Sequence, residues 1–422
     1  MPRIRDEVRR AQVAIGALFL ALGFQYATWA SRLPAVKTRL GLSDAEVGLL
    51  LMACGVGAAA SFPLVAALMK RFGSRALCIG SAVLLSLLPL ALGAAPDYAV
   101  ALVIVCIDGV GVASLDVAMN AQGAELEERF ERKAMGKLHA TFSAGSLLGA
   151  LLASAMNAAT SSLEAHFAVA AALILLVVAY AQRDLLPHVQ PAPDAAAAAA
   201  TTEHEHVPDA PKKRRLPLPT RITLWMGLAM AFGTIVEGAM NDWSALYLKN
   251  VAKAAAGLTP MGIAVFSISM VVARICSDSW RKRWGDGRIV VSGSILAGAG
   301  LTVAVLVGGV FPALLGFALV GLGIASVTPC VYVAAAGQGA DALALVAAMG
   351  TVGLLAGPGV IGLIASGAGL AWAMGAVAIS AAVVAACTSR ITWPTGALTA
   401  ADPDSAAASG GDALAAQSAA LG

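Results

Sequence analysis

Charge is scarce in this chain of 422 residues, where Asp, Glu, Lys and Arg together make up 13% and hydrophobic residues 59%. A soluble protein of this length needs far more polar surface. Together with a mean hydropathy of +0.80, this composition is typical of a polytopic membrane protein, whose exterior is solvated by lipid. The formal net charge of +3 says little, and the positions of the cations are more informative.

Motifs for metal, disulfide and nucleotide chemistry are missing. The six cysteines fall in apolar runs without CxxC spacing, which indicates packing thiols rather than a disulfide framework or a metal site. Neither a Gly-Lys-Ser/Thr phosphate loop nor an HExxH motif occurs. We therefore expect no cofactor, no metal, no nucleic-acid partner, no enzymatic activity and no transport driven directly by ATP.

Apolar runs of about 20 residues, the length that crosses a bilayer as a helix, recur along the chain. The basic start precedes a run that is long enough to span, so no cleaved signal peptide is predicted. We predict twelve helices, at residues 12–31, 44–69, 76–94, 98–121, 134–158, 163–182, 222–247, 260–277, 289–309, 312–334, 341–366 and 369–389.

Lys and Arg are distributed unequally between the two sides of these helices, and the positive-inside rule assigns the richer side to the cytoplasm. With a cytoplasmic N-terminus, the outer loops hold only Arg32, Lys37, Arg39, Lys249 and Lys253. The inner segments hold Arg3, Arg5, Arg9, Arg10, Lys70, Arg71, Arg75, Arg129, Arg132, Lys133, Lys137, Arg183, Lys212 to Arg215, Arg221, Arg281, Lys282, Arg283, Arg288 and Arg390. We expect a multi-pass protein of the cell inner membrane with both termini cytoplasmic.

Residues 183–221 break the apolar pattern with prolines, an alanine run and a basic tetrad at 212–215. We predict a flexible cytoplasmic linker there, and a disordered cytoplasmic tail at 391–422. The tetrad suits either a lipid headgroup contact or a stop-transfer flank. His204 and His206, each beside a glutamate, suit either a metal site or a solvated run.

The sequence repeats itself across this linker. Gly109-Val-Gly-Val-Ala-Ser recurs as Gly321-Leu-Gly-Ile-Ala-Ser, and Arg71-Phe-Gly-Ser-Arg recurs as Arg283-Trp-Gly-Asp-Gly-Arg, both 212 residues further on. Three more pairs follow in the same order: Gly41-Leu-Ser43 with Gly257-Leu-Thr259, Trp29 with Trp243, and Gly145-xxx-Gly149 with Gly353-xxx-Gly357. Such order indicates a duplicated six-helix unit, and the paired glycines indicate close helix packing.

Twelve helices in two sets of six, a long basic central loop and an Arg-aromatic-Gly loop after the second and eighth helices resemble the Major Facilitator Superfamily over roughly residues 12–390. The resemblance implies an all-α integral membrane fold of two pseudo-symmetric six-helix bundles, at residues 1–182 and 222–390. The superfamily's loop pattern Gly-x-x-x-Asp-Arg-x-Gly is degraded after the second helix, where Ala66 and Lys70 replace its Gly and its acid. The candidate gating residues are Arg71, Gly73, Arg274, Asp278 and Arg283, with Arg274 and Asp278 forming an i,i+4 pair.

Within the superfamily, Gly111 to Asn120 resembles the fourth-helix motif of fucose–proton symporters, Gly-x-Gly-x-x-Glu-x-x-x-Asn, although its Gly-to-acid spacing is longer. The resemblance implies that Asp116 carries a proton beside Asn120. The first-helix aspartate of those symporters has no counterpart, since Ala30 lies near its place. Residues 138–145 and 237–243 resemble the YbjJ-type bacterial inner-membrane proteins more closely.

The residue types alone favour a role for Asp116. A carboxylate at membrane depth costs about 2.5–3.5 kcal/mol unless it faces a polar interior or takes up a proton. Asp116 and Asn120 are one turn apart and share a helix face, and burial in a low-dielectric cavity lets an acid load and release protons. The alternative is an acid that pairs with a loop arginine. Asp108, roughly 12 Å away along the helix, suits either a cavity or a backbone bond.

The seventh helix carries Glu237, Asn241 and Asp242. Glu237 and Asn241 share a face, and Glu237 is the second proton-carrier candidate. Asp242 lies nearer the outer end, where it could bind solute, act as a solvated cap or pair with Arg32.

The first helix carries Gln25, Trp29 and Arg32 in one stripe, with Tyr26 beside it. Rings and amides suit a sugar or another small polar solute, because a ring stacks on an apolar face and an amide binds hydroxyls. The alternative for the Trp and Tyr side chains is anchoring at the membrane interface. His139, at the start of the fifth helix, suits either a proton relay or a solvated position.

We therefore predict a monomeric secondary transporter that takes up a small polar solute with protons. A proton-driven exporter is the alternative within this class, and a non-transporting sensor or scaffold is the alternative outside it. The candidate solute-binding residues are Gln25, Tyr26, Trp29, Asn120, His139, Asn241 and Asp242.

Overall fold

The structure is a computed structural model that describes residues 2–130, 134–160, 162–187 and 220–393. We call the described residues up to 187 the first half and those from 220 the second half. The helices of the first half are α1 (Pro2–Leu40), α2 (Asp44–Ala94), α3 (Tyr98–Phe130), α4 (Met135–Ala159) and α5 (Leu163–Ala181). Those of the second half are α6 (Arg221–Asn250), α7 (Met261–Trp284), α8 (Asp286–Val307), α9 (Val310–Ile324), α10 (Val327–Ala336), α11 (Ala340–Ala368) and α12 (Leu370–Thr388).

These helices match the predicted membrane crossings. Within the described ranges, 11 helical stretches are long and apolar enough to cross a membrane. The longest of them, α2, has 51 residues and contains the second and third predicted helices, while α9 and α10 together form the tenth. The predicted all-α fold of twelve crossings is therefore confirmed.

Glycine divides α2 where a loop was expected. Gly73 has φ 74° and ψ 168°, a conformation that is essentially restricted to glycine. The corresponding residue of the second half, Gly285, has φ 82° and ψ 153° and separates α7 from α8. The repeated Arg-aromatic-Gly sequence therefore encodes the same backbone turn twice.

Glycines also set equivalent helix contacts in both halves. A Cβ atom at Gly145 of α4 would lie 2.1 Å from the carbonyl oxygen of Leu20 in α1, and one at Gly353 of α11 would lie 2.2 Å from that of Ala231 in α6. A Cβ atom at Gly109 of α3 would meet the Cys54 carbonyl of α2 at 1.8 Å. Backbones approach this closely only where the side chain is absent, which is how small residues pack membrane helices.

Hydroxyl side chains cap several helices. Ser43 accepts from the Glu46 backbone N–H, and the Glu46 carboxylate accepts from the Ser43 backbone N–H at 2.8 Å, which forms a capping box at the start of α2. At the starts of α5 and α6, the Ser162 and Thr220 hydroxyls accept from the backbone N–H groups of Ala165 and Thr223. The helix start predicted after Ser43 is confirmed.

The first helix runs nine residues beyond its predicted end at 31, to Leu40. Its extra turns carry cations that were expected in a loop. Arg39 donates to the Ala95 carbonyl at 2.8 Å, and Lys37 forms an ion pair with Asp44. Because each of these charges has a partner, the helix continues past the apolar run.

The ends of the two halves pack against their own helices. Leu185 and Leu186 are buried, and Gln122 of α3 bonds both backbone groups of Leu186, at 3.0 and 2.8 Å. After α12, Ile391 is buried and the Trp393 indole donates to the Thr388 carbonyl at 3.1 Å. The remainder of the predicted linker, with His204 and His206, and of the predicted tail lies outside the described residues.

Candidate functional site

The halves meet at the end of the bundle that holds Ser43 and the loop at 251–260, which we call the Ser43 end. Between α4 and the turn before α7, the Ser154 hydroxyl donates to the Gly257 carbonyl, and Asn157 donates to Thr259 at 3.3 Å. Between α6 and α1, the Lys249 ammonium donates to the Pro34 carbonyl at 3.1 Å. These bonds join the first half to the second at this end.

Two glycine-rich helices meet across the same boundary. A Cβ atom at Gly48 of α2 would lie 2.6 Å from the Pro358 carbonyl oxygen of α11. One at Gly362 of α11 would lie 2.8 Å from the Cα atom of Gly48. The two backbones are therefore in direct contact, with no side chain between them.

Deeper in the membrane region, a group of polar side chains lies at the boundary between the two halves. The Tyr26 hydroxyl of α1 donates to Asp242 Oδ1 of α6 at 2.5 Å. The neighbouring Gln25 amide donates to Asp108 Oδ1 of α3 at 2.8 Å, and the Cys54 thiol of α2 lies 3.9 Å from Asp108 Oδ2. Asp108 and Asp242 are each only 5% exposed, so these donors replace the water that a carboxylate otherwise needs.

Asp242 is therefore not the solvated cap or the Arg32 partner that the sequence allowed, and both of those alternatives are wrong. Arg32 instead donates to the Ser162 carbonyl at 2.7 Å, within the first half. Arg32 lies six residues beyond Tyr26 along α1, so the two side chains reach different neighbours.

The two repeated tryptophans are buried inside the protein. Trp29 is 2% exposed and Trp243 is 0% exposed, so the alternative of anchoring at the membrane interface is wrong for both. Trp29 packs edge-on to Tyr26, with ring centres 6.3 Å apart. Neither indole N–H has a hydrogen-bond partner among the described residues.

Asp116 and Asn120 lie nearer the opposite end of α3, and both are partly exposed. The Asn120 amide donates to Asp116 Oδ1 at 3.1 Å, which confirms that the two side chains share a face. In the described part of the chain no cation lies within salt-bridge distance of Asp116. The alternative of pairing with a loop arginine is not seen there.

The second proton-carrier candidate, Glu237, has a cationic partner. Glu237 Oε1 of α6 lies 3.6 Å from the Arg274 guanidinium of α7, and both side chains are partly exposed. Asn241 donates to the Glu237 backbone carbonyl at 3.2 Å. Arg274 thus reaches a neighbouring helix, while the side chain of Asp278, its expected i,i+4 partner, lies outside what the structure describes.

Three further candidates lie toward the end of the bundle opposite Ser43. The His139 ring packs edge-on to Phe19, with ring centres 5.0 Å apart. Arg71 lies 5.2 Å from the ring centre of Phe72, and Arg283 lies 5.7 Å from that of Trp284. The repeated Arg-aromatic pairs therefore form the same cation–π contact in both halves.

The bond between Gln25 and Asp108 was not predicted, although each residue was singled out. The sequence did contain a signal for this bond, because an amide in one apolar run and a carboxylate in another both need hydrogen-bond partners when they are buried. No group of three or more metal-ligating side chains occurs in the described ranges. The candidate site between the two packed halves therefore offers carboxylates, amides and one ion pair, Glu237 with Arg274.

Comparison with known proteins identifies the architecture. The sequence profile of the Major Facilitator Superfamily matches residues 13–338. The chain belongs to this superfamily. An uncharacterised MFS-type transporter of Yersinia pestis is 31% identical over 394 residues, covering 90% of this chain and 96% of that protein. Membrane protein MosC of Rhizobium meliloti is 29% identical over 380 residues, covering 89% and 88%.

Solved structures of facilitator-superfamily transporters share the fold. The nucleoside transporter NupG superimposes with a TM-score of 0.67 at 14% identity, covering 91% of this chain and 99% of NupG. An inward-facing bacterial homologue of the human lysosomal transporter Spinster gives 0.67 at 13% identity, covering 91% and 98%. Membership of the superfamily makes this chain a multi-pass membrane transporter rather than an enzyme, and implies transport by alternating access.

Proposed function

We propose that this transporter couples the uptake of a small polar solute, such as a sugar, to proton entry. The observation that carries the proposal is the partly exposed Asp116–Asn120 pair within a membrane-spanning helix. A carboxylate is tolerated at this depth only where it faces a polar interior or changes its protonation state.

The contacts between the halves support an inward-facing arrangement. Hydrogen bonds and glycine contacts join the halves at the Ser43 end, which the positive-inside rule assigns to the outer face of the membrane. Asp116 and Glu237 would then reach the cytoplasmic side of the bundle. A transporter that cycles must break the contacts at the Ser43 end to admit solute from outside.

Asp116 is the proposed proton carrier because its described partner is a neutral amide, which binds either protonation state. Glu237 is the second candidate, and its ion pair with Arg274 makes its surroundings sensitive to solute binding. A hydroxylated solute can separate the two charges and replace each with a hydrogen bond, so solute binding changes the environment of the carboxylate. Asn120 on α3, beside Asp116, and Asn241 on α6, beside Glu237, supply amides that can bind the hydroxyls of the solute.

The deciding experiment follows proton movement in proteoliposomes with pyranine inside. A panel of monosaccharides and disaccharides is added outside at equal pH, and the wild type is expected to move protons inward with at least one sugar. Asp116→Asn is expected to lose sugar-driven proton movement while retaining exchange of the same labelled sugar. Asp97→Asn, in the loop between α2 and α3, is the matched control and should behave as wild type.

Each contrary result has a definite meaning. Sugar-driven proton movement that persists in Asp116→Asn removes Asp116 as the carrier. Protons that leave the vesicles as the added solute enters them favour the proton-driven exporter, which moves protons and solute in opposite directions. No flux of any solute in the wild type would favour a sensor or scaffold.

A further inference from the structure

A cleft lies between the end of α12 and the start of α8, at the opposite end of the bundle from Ser43, which we call the basic end. Its volume is about 830 Å³, within the range of ordinary ligand sites. Its lining includes Trp284, Arg288, Ser292, Ile295, Ser389 and Trp393. Neither the candidate solute-binding residues nor the proton carriers lie there.

The Trp393 indole forms one wall, and the chain holds it in place. Its N–H donates to the Thr388 carbonyl at 3.1 Å, and Ile391 beside it is buried. A Cβ atom at Gly287 would lie 2.4 Å from Trp393 Cδ1, so only glycine leaves room for the ring at this position. The position of this wall is therefore fixed by contacts within the second half.

Trp284 lines the cleft as well and is 49% exposed. Its ring lies 6.3 Å from that of Trp280. Along α8, Ile289 and Ile295 add aliphatic side chains to the lining. Ile295 is 57% exposed on the outside of the bundle. Indoles beside aliphatic side chains at a helix end are typical of the boundary between lipid headgroups and acyl chains.

The charge around the cleft is positive. Asp286 is the nearby acid in the sequence, and Arg281 occupies both of its carboxylate oxygens at 2.9 Å. In the described ranges Arg288, Lys282, Arg283 and Arg390 form no ion pair, and all four are exposed. An anion placed between the indoles would meet Arg288 directly.

At the equivalent position of the first half, the arginine already has a hydrogen-bond partner. Arg75 corresponds to Arg288 in the repeat, and it donates to the Gln182 carbonyl at the end of α5, at 2.7 Å. The first half also lacks the extra glycine, since Gly73-Ser-Arg75 stands where the second half has Gly285-Asp-Gly-Arg288. One inserted residue and the Trp393 indole therefore distinguish this cleft from the equivalent position of the first half.

We infer that this cleft binds an anionic phospholipid. The headgroup phosphate lies against Arg288 and the Ser292 and Ser389 hydroxyls, and one acyl chain follows Ile295 into the bilayer. A lipid fits better than a soluble phosphate because the cleft continues into the lipid-facing surface of α8. Basic pockets between membrane helices are a recognised form of headgroup site.

Native mass spectrometry of the delipidated full-length chain tests this inference. Phosphatidylglycerol is expected to form a bound adduct at concentrations at which phosphatidylcholine does not. Arg288→Gln should weaken phosphatidylglycerol binding about fivefold, the contribution of one basic residue near a membrane surface, whereas Arg288→Lys should retain most of it. Arg75→Gln is the matched control from the first half and should bind as wild type does.

Three results would overturn the inference. One is equal phosphatidylglycerol binding by Arg288→Gln and Arg75→Gln. Another is equal binding of phosphatidylcholine by the wild type. The third is displacement of the lipid by excess glycerol 3-phosphate, which would make the site one for soluble phosphate. Retention of binding by Arg288→Lys shows that loss in Arg288→Gln is not a folding failure.

Discussion

The hydroxyl of Tyr26 joins a residue of α1 to Asp242 of α6, so one side chain links the two halves inside the membrane-spanning region. Hydrogen bonds to charged groups contribute about 1.5–3 kcal/mol. That contribution is comparable with the free-energy difference between two conformations of a transporter, which is typically a few kcal/mol. This bond is therefore expected to favour the state in which the Ser43 end is closed.

Tyr26→Phe should shift the equilibrium toward opening of the Ser43 end, because Asp242 loses its donor while the ring remains. The shift can be measured with Ala158→Cys and Gly257→Cys, introduced into a chain whose six native cysteines are replaced. A Cβ atom at Gly257 would lie 3.3 Å from the Ala158 Cβ atom of α4, close to the Cβ separation of a disulfide, so the two thiols can be oxidised to one. Tyr26→Phe is expected to lower the yield of this disulfide.

Tyr98→Phe provides the matched control for that experiment. Its hydroxyl donates to the Glu46 carbonyl at 3.0 Å, within the first half. The disulfide yield should not change in this variant. An equal yield in Tyr26→Phe and wild type would show that the Tyr26–Asp242 bond does not hold the halves together.

Single residues were predictable where the partner lies on the same helix. The Asp116–Asn120 contact follows from a spacing of four residues. The partners of Glu237 and Asp108 lie on other helices, and helix spacing carries no information about which helices become neighbours. The sequence therefore identified the polar residues but not the pairs they form.

Helix pairs within each half owe their contact to glycine. α4 lies against α1 at Gly145, and α11 lies against α6 at Gly353, with backbone atoms of the neighbouring helix directly opposite. Because a carbonyl group cannot rotate away as a side chain can, a methyl group at these positions must push the helices apart.

Gly145→Ala should lower the melting temperature in detergent, since overpacking typically costs about 1–3 kcal/mol. Gly80→Ala is the matched control, because nothing lies within 4 Å of a Cβ atom there. That substitution should raise stability by about 0.4–1 kcal/mol through the unfolded state. A Gly145→Ala variant as stable as Gly80→Ala would contradict the backbone contact.

Helix boundaries were predictable where capping residues mark them, as at Ser43. They were less predictable where polar residues continue a helix. Lys37 and Arg39 resembled loop residues because their partners, Asp44 and the Ala95 carbonyl, lie beyond the end of α1. Tertiary bonds of this kind override a hydropathy boundary.

At the scale of the whole molecule, duplication explains the architecture but not the boundary between its halves. Gly73 and Gly285 adopt the same turn, and Gly145 and Gly353 the same packing. These equivalences were visible as repeated sequence. Each bond between the halves, such as Lys249 to Pro34, joins residues that are not equivalent in the repeat, so comparing the two halves with each other could not reveal it.

Alternating access predicts that a covalent link across the Ser43 end stops transport. Oxidation of the Ala158→Cys and Gly257→Cys pair should abolish flux in proteoliposomes, and a reductant should restore it. A link within one half, between Gly298→Cys of α8 and Ala381→Cys of α12, should leave flux unchanged, and a Cβ atom at Gly298 would lie 3.5 Å from the Ala381 Cβ atom. Flux that survives the first link would show that this end does not open during transport.

The backbone contact of Gly48 with Gly362 has a further consequence for such a cycle. Where side chains interdigitate, separating two helices requires many rotamers to be released and later to find their places again. The two glycine surfaces have no side chains to disengage, so the helices can separate and rejoin at this contact without any change of rotamer.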